Sequence, residues 1–119
     1  MWLFTREGFF CFGVTDETPE SKLEVRTRNR SDLERLKRIC PSVQDIEIQE
    51  GPLRGSDYRF KAIAETRELE QYLVRSLRNV DYDRFEKAVD REMNEPARTK
   101  AYVSCWHALF LWQEQELLP

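Results

Sequence analysis

The sequence predicts an α+β fold in which an antiparallel sheet of four to five strands carries helices on one face. Apolar and charged residues alternate over 23–28 and 58–64, which is the period of half-buried strands. A stretch with apolar residues at helical spacing follows each of these segments. Because the two strand-to-helix steps have the same length, we expect two consecutive ββα units and then a C-terminal helical pair.

The remaining strands are predicted from shorter patterns. Residues 1–14 hold two aromatic runs separated by a turn that contains Gly8, which is typical of a β-hairpin. Ile46 and Ile48 alternate with polar residues and indicate another strand. In the two alternating segments the residues that we expect to face the helices are Leu23, Val25, Tyr58 and Phe60.

Each helix has a predicted start. Ser31 and Glu34 have the spacing of a capping box, and Thr66 is placed to cap the second helix. Asp81 is placed to cap a third helix. Pro96 suits the first turn of a last helix that continues through Ala97 to Glu116.

Composition indicates one domain over residues 1–119 and a cytoplasmic location. Of these 119 residues 40% are hydrophobic, which is enough to fill one core. The 19 Lys and Arg nearly balance the 22 Asp and Glu, so the net charge of −3 favours neither nucleic acid nor an acidic membrane. The apolar runs are far shorter than the ~20 residues of a membrane span. We therefore expect no membrane association.

The cysteines give no sign of a cofactor. Cys11, Cys40 and Cys105 are odd in number and widely spaced, which suits neither a disulfide framework nor a metal site. We expect three reduced thiols in the core, with no metal and no cofactor. His107 lies two residues from Cys105, a spacing that sends the two side chains to different faces of a helix.

Five segments spread over most of the chain form a recognisable pattern. They are Met1-Trp2-Leu3-Phe4-Thr5 with Gly8-Phe9-Phe10, Val25-Arg26-Thr27-Arg28 followed by Asp32-Leu33, Asp57-Tyr58-Arg59-Phe60, Asp81-Tyr82-Asp83-Arg84-Phe85, and Trp106. The pattern resembles a family of small bacterial proteins of unknown activity, although Glu86 stands where that family has Lys. The resemblance implies a bacterial, intracellular, single-domain protein and implies no mechanism.

Catalytic patterns are weak in this sequence. The carboxylates are scattered at predicted helix caps and exteriors, whereas acid–base catalysis needs two that converge in a pocket. The glycines at 51 and 55 are not followed by the Lys-Ser or Lys-Thr of a phosphate loop. We therefore expect no enzyme activity, and an enzyme of unrecognised type remains the third alternative.

One basic surface is predicted on the outer face of the sheet. Side chains that point away from the apolar side of their strands would gather there, and Phe9 or Phe10 could join them. Such a surface would bind a polyanion or a protein partner, or else Glu24 and Glu47 would neutralise it. The residues of this candidate patch are Arg26, Arg28, Arg30, Arg59 and Lys61.

The last predicted helix is apolar around most of its circumference. Such a helix is either the central helix of a domain or part of an interface. Trp106, Phe110 and Trp112 are the candidate interface residues, in a homodimer or with an unknown protein partner. By elimination, the sequence favours a non-enzymatic interaction or assembly module, with a nucleic-acid-binding domain as the alternative.

Overall fold

A computed structural model describes residues 1–55 and 57–119, which form two compact units, Met1–Val80 and Asp81–Pro119. The first unit contains β1 Trp2–Thr5, β2 Gly8–Gly13, β3 Lys22–Thr27, α1 Arg30–Ile39, β4 Gln44–Ile48, β5 Phe60–Glu65 and α2 Thr66–Arg78. The second contains α3 Phe85–Met93 and α4 Pro96–Glu116. The boundary between the two units falls after Val80, and the expectation of one domain over 1–119 stays a prediction.

The strands of the first unit form one antiparallel sheet in the order β1-β2-β3-β5-β4. The predicted α+β class and antiparallel sheet are therefore confirmed, with five strands. Both predicted ββα units are present, as β2-β3-α1 and β4-β5-α2, and β1 completes the N-terminal hairpin with β2. The strands of each hairpin are close together in the sequence, and patterns along the chain were therefore sufficient to predict these strand pairs.

The sheet has one apolar face, and α1 and α2 pack on it. Every second residue of β2, β3 and β5 points to this face because side chains alternate along a strand. The prediction that Leu23, Val25 and Phe60 face the helices is confirmed. The fully or largely buried members of this core are Phe10, Phe12, Val25, Leu33, Leu36, Cys40, Val43, Ala62, Ala64, Leu69 and Tyr72.

The prediction for Tyr58 is wrong. Strand β5 begins only at Phe60, so the alternation does not extend back to Tyr58. Its ring instead lies under the guanidinium of Arg28, 4.0 Å from the ring centroid. Its hydroxyl interacts with Cys11, a residue that points away from the core because Phe10 and Phe12 point into it.

The helix starts differ from the predicted caps. The side-chain oxygen of Asn29 accepts a hydrogen bond from the backbone N–H of Ser31 at 3.2 Å, so α1 begins at Arg30. Ser31 therefore lies inside the helix, and Glu34 accepts from Arg30 at 3.2 Å. The predicted capping box is wrong because Asn29, an equally good cap, comes first in the chain. The starts of α2 and α3 are also displaced, with Glu65 and Arg84 in the cap positions.

The buried carboxylate of Asp32 links the N-terminal hairpin to α1. Asp32 is 1% exposed and accepts hydrogen bonds from the backbone N–H of Phe9 at 3.0 Å and from Arg35 at 2.7 Å. Gly8 makes this approach feasible, because a Cβ at that position would lie 2.4 Å from Asp32 Cγ. The φ of +156° at Gly8 is also one that other residues rarely adopt.

The second unit is a pair of helices of unequal length. The rings of Phe85 in α3 and Tyr102 in α4 stack with their centroids 5.8 Å apart. Pro96 is the first residue of α4, as predicted. At 1.5 Å per residue α3 is about 14 Å long and α4 about 32 Å, so α3 can accompany less than half of its neighbour. Among the described residues, no helix is long and apolar enough to cross a membrane.

Candidate interaction surfaces

The structure brings four of the five predicted basic residues to neighbouring strands. Arg26 and Lys61 are direct partners in the register of β3 with β5. Arg28 and Arg59 lie just beyond the same ends of these strands, where Thr27 pairs with Phe60. Arg30 is apart from them, as the first residue of α1. The sequence-predicted clustering of cations therefore exists in the first unit.

These cations are held by contacts within the chain. Glu24 accepts from Arg26 Nε at 2.7 Å, and this hydrogen bond raises the pKa of the guanidinium. Lys61 Nζ lies 3.5 Å from Glu47 Oε2. Arg28 donates to the carbonyls of Gly55 and Asp57, and Arg59 donates to the carbonyls of Gln49 and Gly51. The outer face of the sheet consequently has mixed charge, and its cations contact carboxylates and loop carbonyls.

Aromatic side chains share this outer face with the cations. Phe4 and Phe9 stack at 4.4 Å between centroids, and Trp2 meets the Phe9 ring edge-on at 5.8 Å. Of the two candidates Phe9 and Phe10, only Phe9 joins the face, since Phe10 is buried in the core. Aromatic rings beside cations are typical of surfaces that bind single-stranded nucleic acid. Here the cations already have partners, which lowers the positive potential that a polyanion would need.

A groove of about 470 Å³ lies beside the same face, in the first unit. Its lining combines carboxylates and lysines, among them Glu24, Glu47 and Lys61, with hydroxyl and amide groups. It includes neither histidine nor cysteine. Because those three charged groups are engaged with one another or with Arg26, the groove has the character of a solvated charge network.

The second candidate surface is the C-terminal part of α4. Every residue from Val103 onwards is exposed. Trp106 is 59% exposed, Phe110 40% and Trp112 60%. The rings of Trp106 and Phe110 stack with 5.7 Å between centroids and 6° between planes. Exposed aromatic area of this extent is unusual on a soluble chain.

No charged side chain interrupts this surface. Between Lys100 and Glu114 the sequence contains no Lys, Arg, Asp or Glu. His107 lies in this interval, and its ring stacks on Phe110 at 6.3 Å. Apolar side chains therefore occupy all sides of the helix here, a composition that is normally buried.

The thiols are in three different environments. All three are free, but Cys105 is exposed on α4, so the prediction of three core thiols is wrong for Cys105. It fails because α4 extends beyond α3. Cys40 is buried, and burial together with nearby Glu68 raises its pKa to about 11. Within the described residues no cluster of His, Cys, Asp or Glu could hold a metal ion.

A buried hydroxyl network was missed at the sequence level. The hydroxyls of Thr5 and Tyr72 lie 2.6 Å apart, and Tyr72 donates to Glu7 Oε1 at 2.7 Å. Burial raises the pKa of Tyr72 above its ordinary range. Its partners are more than 60 residues away along the chain, so no local pattern could have indicated the contact. The network joins α2 to the hairpin and thus serves the fold.

Comparison of the chain with known proteins finds no matching family model, no similar curated protein and no similar solved structure. The functional argument therefore depends on the contacts and exposures of these residues.

Proposed function

We propose that this protein is a non-enzymatic interaction or assembly module whose binding surface is the C-terminal part of α4. The carrying observation is the exposed aromatic set Trp106, Phe110 and Trp112 on a helix segment without charge. Trp is enriched among residues that dominate binding energy, and interface cores are depleted of charge. Covering these rings would remove apolar area from water, at about 25 cal/mol per Å².

The size of the second unit supports the same proposal. Helix α3 has nine residues and α4 has 21, so α3 can accompany less than half of α4. The residues of α4 from Val103 onwards are accordingly exposed. Cys105 is free, and we place the module in the cytoplasm, where thiols stay reduced.

Nucleic-acid binding is the second candidate. It is favoured by the exposed Trp2 and by Phe9, which lie on the outer face of the sheet that also carries Arg26. The 2.7 Å contact of Arg26 with Glu24 argues against it, because a phosphate would have to displace a carboxylate. We therefore rank it below a protein interface.

Size-exclusion chromatography of cell extracts tests the proposal. We compare the wild type, the variant Trp106→Gln/Phe110→Gln/Trp112→Gln and the control Arg26→Ala/Lys61→Ala, each with and without nuclease. We expect the wild type and the control to elute as a species larger than one chain, unaffected by nuclease. The α4 variant should elute as the monomer.

Two outcomes would overturn the proposal. Elution of the wild type as a monomer would show that α4 binds no partner. If nuclease converts the large wild-type species to the monomer, and the control Arg26→Ala/Lys61→Ala does not form that species, the result would instead establish nucleic-acid binding.

A further inference from the structure

One stripe on α4 has the spacing of a coiled-coil seam. Residues separated by alternating steps of four and three fall on one side of a helix, and such a repeat marks the side that packs on another helix. The stripe begins near the start of α4 and continues to its end. Its members, called the seam below, are Thr99, Val103, Trp106, Phe110, Gln113 and Leu117.

The seam is exposed from Val103 onwards, whereas its first member, Thr99, is half-buried and donates to Asp90 of α3 at 3.3 Å. Val103, Trp106, Phe110 and Leu117 all have large exposed fractions. Tyr102, which stacks on Phe85 of α3, occupies the neighbouring position on the flank of the seam. A further helix could therefore pack on the seam from Val103 to Gln113 while α3 stays in place.

The charges beside the seam are arranged for antiparallel pairing. Lys100, His107 and Glu114 follow one another at seven-residue intervals along one flank. In an antiparallel pair of identical helices related about Ala108, Lys100 of each copy lies only about 3 Å along the axis from Glu114 of the other, so two ion pairs can form. In a parallel pair the two residues stay about 21 Å apart along the axis.

The same register also matches the rings. With the two copies related about Ala108, Trp106 of one copy faces Phe110 of the other, and Val103 faces Gln113. Each copy thus presents the stacked Trp106–Phe110 pair to the same pair of its partner. Such self-complementarity is what a twofold interface requires.

From these observations we propose that the partner of α4 is a second copy of this chain, bound antiparallel through the seam about Ala108. This proposal rests on the proposed function. Seam and flank residues together present an area on the order of 800 Å², taking ~150–250 Å² for a whole aromatic side chain. A standard interface buries roughly 800 Å² on each partner, so the seam is large enough for a dimer.

Sedimentation equilibrium of the purified full chain tests the pairing. The wild type should approach twice the 14.3 kDa of one chain as its concentration rises. Lys100→Glu creates two like-charge pairs and should raise the dimer dissociation constant about tenfold. Adding Glu114→Lys to the same chain restores both pairs with reversed sign and should return the constant to near the wild-type value.

Two tryptophans provide a matched control. Trp106 lies in the seam and Trp112 outside it, and their exposed fractions are 59% and 60%. Trp106→Gln should raise the dissociation constant more than about a hundredfold, since central aromatic residues dominate interfaces. Trp112→Gln should change it by less than about threefold. Circular dichroism checks that each variant keeps its helices.

The outcomes separate this proposal from the proposed function. In one outcome the purified chain stays monomeric while extracts still contain a complex that the triple α4 variant loses. That result would contradict the proposal that the partner is a second copy and would still support the proposal of an interaction module. A dimer that Glu114→Lys fails to rescue, or that Trp112→Gln weakens as much as Trp106→Gln, would overturn the antiparallel register.

Discussion

The two units of this chain treat similar apolar residues in opposite ways. In the first unit Leu36 of α1 is 0% exposed, because it packs into the core against the sheet. In the second unit Leu111 of α4 is 50% exposed, and most of the apolar residues near it on α4 are also exposed. Both helices contain the same kind of side chain. The two units differ because only the first provides an apolar surface on which such side chains can pack.

Element lengths explain this difference. In the first unit the sheet covers the apolar residues of α1 and the first half of α2, and only Val74 and Leu77 near the end of α2 are exposed among the large apolar residues of these two helices. In the second, α3 has nine residues and α4 has 21, so most of α4 extends past its neighbour. A chain can thus contain one unit that buries most of its apolar residues and another that leaves many of them exposed.

The largest effect is expected from removing a core leucine. Leu36→Ala should lower the free energy of unfolding by about 2–5 kcal/mol, because it leaves a cavity in a closed core. Leu111→Ala removes the same atoms from an exposed position outside the seam and should cost less than about 0.5 kcal/mol. Urea unfolding followed by circular dichroism measures both. Equal losses would contradict the comparison.

The next effect concerns the link between the hairpin and α1. Gly8→Ala should cost roughly 2–4 kcal/mol, since its Cβ would clash with Asp32 and the backbone at Gly8 is unfavourable for alanine. Gly55→Ala is the control, because nothing lies within 4 Å of a Cβ placed there. A neutral Gly8→Ala would show that the buried Asp32 contact does not hold the first unit together.

The rate of thiol labelling should differ between the cysteines of the two units. At pH 8 Cys105 should react at least about a hundredfold faster than Cys11 and Cys40, which are accessible only after opening. Because burial keeps Cys40 protonated, its labelling should accelerate as the pH rises towards 11. Unfolded protein should give three free thiols. Equal native rates, or a missing thiol, would contradict this placement.

Local patterns were sufficient to predict most of the first unit. The alternation at Leu23–Thr27 placed β3 and its faces correctly, because a period of two directly determines which side chains are buried. Tyr58 was misplaced because the pattern could not show where β5 begins. The Asp32 and Tyr72 contacts were missed because they join residues far apart in sequence.

The second unit was less predictable for a different reason. The apolar character of α4 and the residues Trp106, Phe110 and Trp112 were evident from the sequence. Whether they are buried depends on how much of α4 its neighbour accompanies, and the sequence did not fix the short length of α3. The wrong expectation for Cys105 has the same origin.

Hydrogen exchange at two concentrations tests the central claim, that association covers α4. Between about 1 and about 100 μM, amides of residues 103–112 should become at least roughly tenfold more protected, because association buries and stabilises the helix. Amides of residues 33–39 in the core of the first unit should exchange at the same rate throughout. Protection in 103–112 that is independent of concentration would contradict the account.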